Sequence, residues 1–532
     1  MGGPVGNAHA EVSPSYYNVP NNTKDHWIKD AGLRKNVFYC IGLCGTLFFN
    51  GYDGSLFNGL QTIDAWQTFF DHPTGNTLGL MNSAALFPGL ISPYIAEQIA
   101  TRWGRRWAVW IGVWINIAGV LINSASLNLG MYIAGRAVMG VGISMGLTIA
   151  PTLLQEIAHP RYRAPIGTFY TSIYYIAAII SAAVCLATRN INSDASWRIP
   201  CYLQLVGPVV TFAMTCTVPE SPRALEILAK YHANGDRDDP LVRLEYTEII
   251  EGLETERVQS RVAYKDYLRA ENRRRLFLIV VIAIGTNWVG NGIVSYYLSP
   301  ILSQIGVTST LQQSALNLGL QIWNFIISTT AGLNCDRIGR RPLWLTSVIG
   351  MLFSFVVVMG LSGAYDSYGV PSIGLAVIPF LFVFFGFYDV AWTPLANMYS
   401  VEILPFSLRA KGQAIYNIVQ GCANAFNQWV NPIVLDAIQW RYYAVYIAIL
   451  SVYVVIIYFY FPETKNLTIE EITKAIDRES GVVASSSSPS GSTNGLPHER
   501  NGMDTKATDD VEHVERVMSA DVHTTHARRY EI

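Results

Sequence analysis

Two charges stand at positions where an apolar chain rarely places any. Asp53 belongs to the run that becomes apolar near Val37, and Arg136 lies inside the run between Leu129 and Ile157. A charged side chain at bilayer depth costs roughly 3 kcal/mol on insertion scales, so acids and bases there are paired, hydrated or functional. An aspartate opposite an arginine is suited to binding and releasing a proton: the guanidinium favours the ionised carboxylate, and closure of the surroundings favours the protonated one. The alternative is a static ion pair between helices. A second set of charges (Arg106, Glu156, Arg163, Asp336, Arg340, Glu402 and Arg409) falls at the ends of apolar runs. No nucleophile–base constellation, phosphate loop or metal cluster accompanies them, so the expectation is a non-enzyme without cofactor or metal. The seven cysteines show neither a CxxC nor a metal-ligand spacing and read as small core residues.

The elements that must hold these charges are membrane helices. Of 532 residues, 51% are hydrophobic and only 14% charged, whereas soluble domains carry about 25% charged residues. The net charge of −2 gives no support to nucleic-acid binding. A bilayer core needs about 20 apolar residues per helix. Twelve runs qualify, near 36–60, 77–100, 106–126, 129–157, 164–187, 199–218, 276–305, 310–334, 342–363, 371–400, 408–435 and 441–461. The fold class expected is therefore an all-α membrane protein of twelve transmembrane helices in two six-helix bundles, 36–218 and 276–461. The polar stretch 219–275, with eleven basic and twelve acidic residues, reads as a linker with short amphipathic helices. Residues 1–35 and 462–532 read as polar tails, the second largely disordered; no cleavable signal peptide is evident.

Basic residues set the orientation. Arg102, Arg105, Arg106, Arg161, Arg163, Arg337, Arg340, Arg341, Arg409 and Lys411 all fall in connections on one side, whereas 61–76 has two aspartates and no Lys or Arg. The arginine-rich side, the 219–275 stretch and both termini are expected in the cytosol. The sequons at Asn21 and Asn466 would then escape glycosylation.

The two halves repeat. Glu156, Arg163 and Tyr170 recur as Glu402, Arg409 and Tyr416, each 246 residues on. Arg102-Trp103-Gly104-Arg105-Arg106 recurs as Arg337-Ile338-Gly339-Arg340-Arg341, and Pro219-Glu220 as Pro462-Glu463. Duplicated six-helix bundles characterise transporters that rock two halves about a central site.

Together with Gly51-Tyr52-Asp53, Gly135-Arg136 and Pro219-Glu220-Ser221-Pro222-Arg223, these motifs make residues 27–470 resemble the sugar porter family of the major facilitator superfamily. Ala224–His232 and Asn291–Tyr297 are similar to its fungal lactose-permease-like branch. The resemblance implies that Asp53 binds the coupling proton and Arg136 tunes it. It also implies that Arg106, Glu156, Arg163, Asp336, Arg340, Glu402 and Arg409 form a cytosolic latch between the halves. Thr101 stands where the motif normally has an acid, which weakens the first half of that latch. By family position, Asn324, Gln420 and Asn424 are sugar contacts and Tyr297 belongs to an outer-gate tyrosine pair. Asn287, Asn291 and Asn397 add polar groups, whereas Thr171, Ala178, Thr286, Asn287, Gly292 and Asn397 depart from the hexose pattern. Such amides serve equally to join helices.

The expected protein is a monomeric, multi-pass plasma-membrane carrier that imports a sugar or sugar-like solute with protons, its partners being that solute, protons and the bilayer. A same-fold carrier of another polar metabolite and a transporter-like nutrient sensor are the alternatives.

Overall fold

In a lipid core every backbone N–H and C=O must find its partner within the protein, so apolar runs of this length fold as helices. The computed structural model describes Thr23 and residues 27–216, 218, 225–247, 264–405 and 408–465. Every regular element among the described residues is helical. Eight helical stretches are long and apolar enough to cross a membrane, and one of these, Lys411–Tyr460, is two helices joined at Gln439–Tyr442. Ala31–Leu60, the broken pair Ala195–Leu203 and Val206–Thr215, and Thr310–Ile338 complete twelve spans.

In chain order, spans one to six are Ala31–Leu60, the interrupted Gly75–Trp103, Arg105–Ser124, Leu129–Ile157, Arg163–Thr188, and the pair Ala195–Leu203 with Val206–Thr215. Span seven comprises Ala270–Trp288, Asn291–Tyr296 and Leu298–Gln304. Spans eight to twelve are Thr310–Ile338, Arg340–Tyr368, Pro371–Glu402, Arg409–Ile438 and Tyr443–Tyr460. The expected unbroken run 276–305 is thus three helices. Gly290 adopts φ +103° between the first two, and a side chain there would also strike Phe355. Spans one and eight are less apolar because they turn asparagines and glutamines toward the other half, as described below.

Large side chains such as Trp114, Phe353 and Phe459 are exposed on the outer surface, as a lipid-facing belt requires. Spans three and four pack almost backbone to backbone: a Cβ on Gly119 would lie 2.3 Å from the Met139 nitrogen. Small residues at such crossings let van der Waals contact replace the hydrophobic drive that lipid does not supply.

The repeated glycines make the same turn in both halves. Gly104 (φ +101°) separates spans two and three, and Gly339 (φ +110°) separates spans eight and nine. After Gly339, the Glu463 carboxylate caps span nine by accepting the backbone N–H groups of Arg340 at 2.9 Å and Arg341 at 3.1 Å. It also accepts from Thr464 and Lys465. This explains the Pro-Glu motif in physical terms: a carboxylate satisfies the orphan donors of a helix start. Burial opposes the charge, but the four N–H bonds prevail and hold Glu463 below the ordinary glutamate range. The first-half counterpart, Pro219-Glu220, lies outside the described residues, as do residues 466–532.

Within 219–275, Leu225–His232 is helical and Leu228, Ala229, Ala233 and Val242 form a small core. His232 ties this unit to spans one and four. Its Nδ1 meets Glu245 Oε2 at 2.6 Å, and its Nε2 lies 3.0 Å from the Ile157 carbonyl oxygen. Asn234 donates to Asp30, the residue that caps span one.

Candidate functional site

A cavity of about 350 Å³ lies between the halves, lined from spans one, five, seven, eight, ten and eleven. Its wall is mostly hydroxyl, amide and aromatic. Four lining residues carry buried polar atoms without a hydrogen-bond partner among the described residues: Ser55 Oγ, Asn291 Oδ1, Trp392 Nε1 and Tyr416 Oη. These four atoms have almost no accessible surface, so they lie behind the cavity wall rather than on it.

Five of the seven residues expected to contact substrate line this cavity: Asn287, Asn291, Asn324, Asn397 and Gln420. Asn287 donates to Thr286 Oγ1 and to the Gln420 carbonyl, and Gln420 Nε2 donates back to Thr286 Oγ1 at 3.3 Å. Asn291 Nδ2 donates to the Tyr388 hydroxyl at 3.0 Å. Asn397 Oδ1 accepts from Gln413. Tyr297 and Asn424 stand apart from the cavity lining. Asn424 accepts from Gln428 one turn along span eleven. Tyr297 donates to the Gln428 carbonyl and accepts from Asn82, and it lines a separate pocket of about 300 Å³ beyond the central cavity.

Tyr297 belongs to a seal across the two halves at the end opposite the arginine-rich one. Asn58 donates to Asn317 at 2.9 Å, Thr62 and Ser314 share a hydrogen bond at 2.7 Å, and Gln61 reaches the Tyr296 carbonyl at 2.8 Å. Asn82 bonds Gln428, and Trp429 donates to Asn76. Each bond joins a first-half residue to a second-half residue, so this end of the cavity is closed.

Asp53 and Arg136 meet as the sequence suggested. Arg136 Nη1 lies 3.2 Å from Asp53 Oδ1, and Nη2 lies 3.5 Å from Oδ2. Gln204 on span six donates to the same Oδ1 at 3.1 Å, and the guanidinium lies over Phe57. Both charges are buried. The pair sits within the first half, immediately behind Gly54 and Ser55 of the cavity wall.

At the arginine-rich end the charges pair symmetrically. Glu156 takes Arg105, and Glu402 takes Arg340 at 3.1 Å. Arg105 and Arg340 occupy the same place in the repeated motif. Arg106, the residue singled out from sequence, instead donates to the Val218 carbonyl and lies over Trp110. Both carboxylate pairs join neighbouring spans within one half, three to four and nine to ten. Arg409 opens span eleven. The side chains of Arg163 and Asp336 lie outside the described residues. Of the cysteines, Cys40, Cys44, Cys185 and Cys201 are buried as expected, whereas Cys216 and Cys422 are exposed; the Cys335 side chain is not among those described.

Sequence reasoning missed Asp389. It lies in span ten, is 1% exposed, and accepts from Tyr175 at 3.0 Å and Thr393 at 2.6 Å. Asn324, with its amide NH2 turned toward the acid, donates to Asp389 Oδ2 at 3.3 Å and to the Leu320 carbonyl at 3.2 Å. The signal was present: an acid inside an apolar run, the rule that located Asp53.

The model of the family described as "Sugar (and other) transporter" matches residues 37–476. The chain is 25% identical over 469 residues to a high-affinity glucose transporter of Kluyveromyces lactis, covering 82% of this chain and 84% of that one. It is 28% identical over 456 residues to a probable metabolite transport protein, CsbC, of Bacillus subtilis, covering 84% and 95%. Among solved structures, the inward-open xylose transporter XylE of Escherichia coli matches with a TM-score of 0.68 at 20% identity, over 82% of this chain and 99% of that one. These relatives are carriers, not enzymes. The chain belongs to the sugar transporter family, with the twelve-span fold of the major facilitator superfamily.

Proposed function

We propose that the protein is a proton-coupled importer of a neutral, polyhydroxylated solute, a sugar or sugar-like molecule, working by alternating access. The observation that carries this reading is the central cavity between the halves, walled by amides, hydroxyls and aromatic rings. A sugar presents hydroxyls that both donate and accept, and so matches a wall that carries the amides of Asn287, Asn291, Asn324, Asn397 and Gln420 beside aromatic rings. The cavity lies between two pseudo-repeated halves, where rocking of the halves would expose it to either side. The glucose and xylose transporters among its relatives support the same solute class.

In this reading the arginine-rich end faces the cytosol, the seal at Asn58, Gln61 and Thr62 closes the extracellular side, and the carrier is a plasma-membrane monomer. Asp53 binds the proton. When Arg136 and Gln204 hold the carboxylate it stays ionised; when the pair parts and the site closes, it takes a proton. Asn287, Asn291, Asn324, Asn397 and Gln420 hold the solute, Tyr297 acts from the seal, and Asn424 supports Gln428. The charges Arg105, Arg340, Glu156 and Glu402, with Arg106, Arg163, Asp336 and Arg409, would latch the cytosolic end in the opposite state.

Radiolabelled uptake of a panel of hexoses, pentoses, disaccharides and polyols in a transport-deficient yeast tests the reading. Accumulation of at least one solute, abolished by a protonophore, is expected. Uptake of none of them, with the protein present at the surface, would overturn the sugar assignment; uptake indifferent to the protonophore would overturn the coupling.

A further inference from the structure

Asp389 is an acid for which the Asp53–Arg136 pair leaves no role. It lines the central cavity, and all three of its hydrogen bonds come from neutral groups: the Tyr175 and Thr393 hydroxyls and the Asn324 amide. Asp53, by contrast, has a guanidinium within 3.2 Å. Asp389 has no cationic partner among the described residues. An ionised carboxylate buried in this way has no counter-charge, and the penalty for that is far larger than for a hydrogen-bonded neutral acid.

The groups around it offer no other relief. Span five presents the phenols Tyr174 and Tyr175, span seven Tyr296, span eleven Tyr416, and span ten its own Tyr388. Span eight presents the amides Gln321 and Asn324. The charges of the packed spans stand at helix ends: Arg340 and Arg341 start span nine, Arg409 and Lys411 start span eleven, and Asp366 and Asp436 lie at the sealed end. Asp336 and Arg337 fall in the last turn of span eight, and Arg273, Arg274 and Arg275 in the first turns of span seven. On span ten itself, Glu402 is thirteen residues from Asp389, about 20 Å along the helix.

We propose that Asp389 is a second proton-binding site of the carrier, exchanging its proton with cavity water as solute enters and leaves. An ionised Asp389 only accepts hydrogen bonds, and a protonated one also donates. Its protonation therefore changes what the cavity wall offers a solute hydroxyl, and solute binding is linked to one proton. The Tyr175 hydroxyl belongs to the first half and Asp389 to the second, so movement of the halves breaks or makes a bond to the acid itself. This rests on the reading of the chain as a proton-coupled carrier and adds to it a proton that Arg136 does not control.

The test is infrared titration of the purified full-length protein in lipid nanodiscs, with no solute present. The carboxylic-acid carbonyl stretch, which lies above the amide I band, should appear at neutral pH, vanish on alkalinisation, survive in Asp53→Asn and be missing in Asp389→Asn. Should Asp389→Asn fail to fold, Asp389→Glu should move the band and its titration midpoint. A band unchanged by both substitutions, or no band at any pH, overturns the proposal. Because no solute is needed, this failure is distinguishable from a carrier that moves none of the panel sugars. For a sugar that is moved, log KM against pH should lose a slope of about one in Asp389→Asn, the signature of one linked proton; an unchanged slope overturns the linkage.

Discussion

Arg136 holds Asp53 at 3.2 Å inside the first half, and the cavity wall begins at the next residue, Gly54. The ion pair thus borders the central cavity without belonging to its lining. Removal of one partner leaves the other charge buried and uncompensated, which costs roughly 3–5 kcal/mol.

Asp53→Asn should therefore abolish accumulation driven by a pH gradient, spare exchange down a solute gradient, and lower the melting temperature. Arg136→Gln added to it should recover most of the melting temperature without restoring accumulation. Proteoliposome uptake and thermal unfolding of the single and double variants check this. A double variant as unstable as the single one would count against the pair as the origin of the loss.

Glu463 supplies a pH dependence outside the membrane. Burial opposes its charge, but four backbone N–H bonds outweigh burial and lower its proton affinity in the folded state. A group so lowered contributes stability above its unfolded range, and that contribution disappears as pH falls through the folded value. Glu463→Gln should destabilise span nine by roughly 1 kcal/mol at neutral pH, as cap substitutions do. The gap between variant and wild type should close on acidification. Melting curves measured across pH test this; a gap constant at every pH would refute the carboxylate cap.

Legibility of the chain in sequence depended on whether a residue's surroundings repeat. Asp53 and Arg136 stood out because both charges lie in apolar runs, and their pairing needed only helix packing. Asp389 obeyed the same rule but has no basic residue at bilayer depth to point to it, and its partners Tyr175, Thr393 and Asn324 are neutral. In the motif Arg105-Arg106 the sequence reading singled out Arg106, whereas the described ion pair to Glu156 uses Arg105. Adjacent helical residues point about 100° apart, and the φ +101° turn at Gly104, which sets that rotation, is a three-dimensional property. On span eight only Asn324 was singled out, by family position, yet Asn317 and Gln321 also face the other half or the cavity. The breaks in spans two and six fall just before Pro88, Pro93 and Pro208, which lack the N–H that the helix ladder needs, and the first break in span seven falls at Gly290.

The seal should set the balance between conformations. Asn58→Ala and Thr62→Ala each remove one neutral hydrogen bond between the halves. At about 0.5–1.5 kcal/mol apiece, each should shift the population toward an extracellularly open state roughly 2- to 13-fold. Ser55→Cys in the cavity wall, labelled by a membrane-impermeant maleimide from the outside, reports this. Labelling should rise in each seal variant and rise further in the two combined. Equal labelling with and without the seal substitutions would show that these bonds do not hold the cavity shut.

The cavity itself separates solute contacts from helix fasteners. Asn324 is engaged by Asp389 and the Leu320 carbonyl, so Asn324→Ala should disturb the acid as well as any solute and should alter the pH profile. Among the described residues the Gln420 side chain bonds Thr286 alone, so it can turn toward a ligand at small cost. Asn291 and Tyr416 also belong to the cavity lining. Tyr416→Phe deletes one oxygen and nothing else, and Asn291→Ser replaces the carboxamide by a shorter hydroxyl. If these atoms bind solute hydroxyls, Tyr416→Phe, Asn291→Ser and Gln420→Ala should each weaken apparent affinity roughly 2- to 13-fold, the value of one neutral hydrogen bond. Surface abundance should stay near wild type, because no buried charge is uncovered. If the groups merely fasten helices, the pattern inverts: less protein reaches the surface, and what arrives binds normally. Asn424→Ala provides the contrast, since Asn424 lies off the cavity lining and accepts from Gln428; its effect should be on surface abundance with affinity unchanged. Surface quantitation combined with the concentration dependence of uptake separates the outcomes. Normal affinity in all three cavity variants would exclude this wall as the solute site.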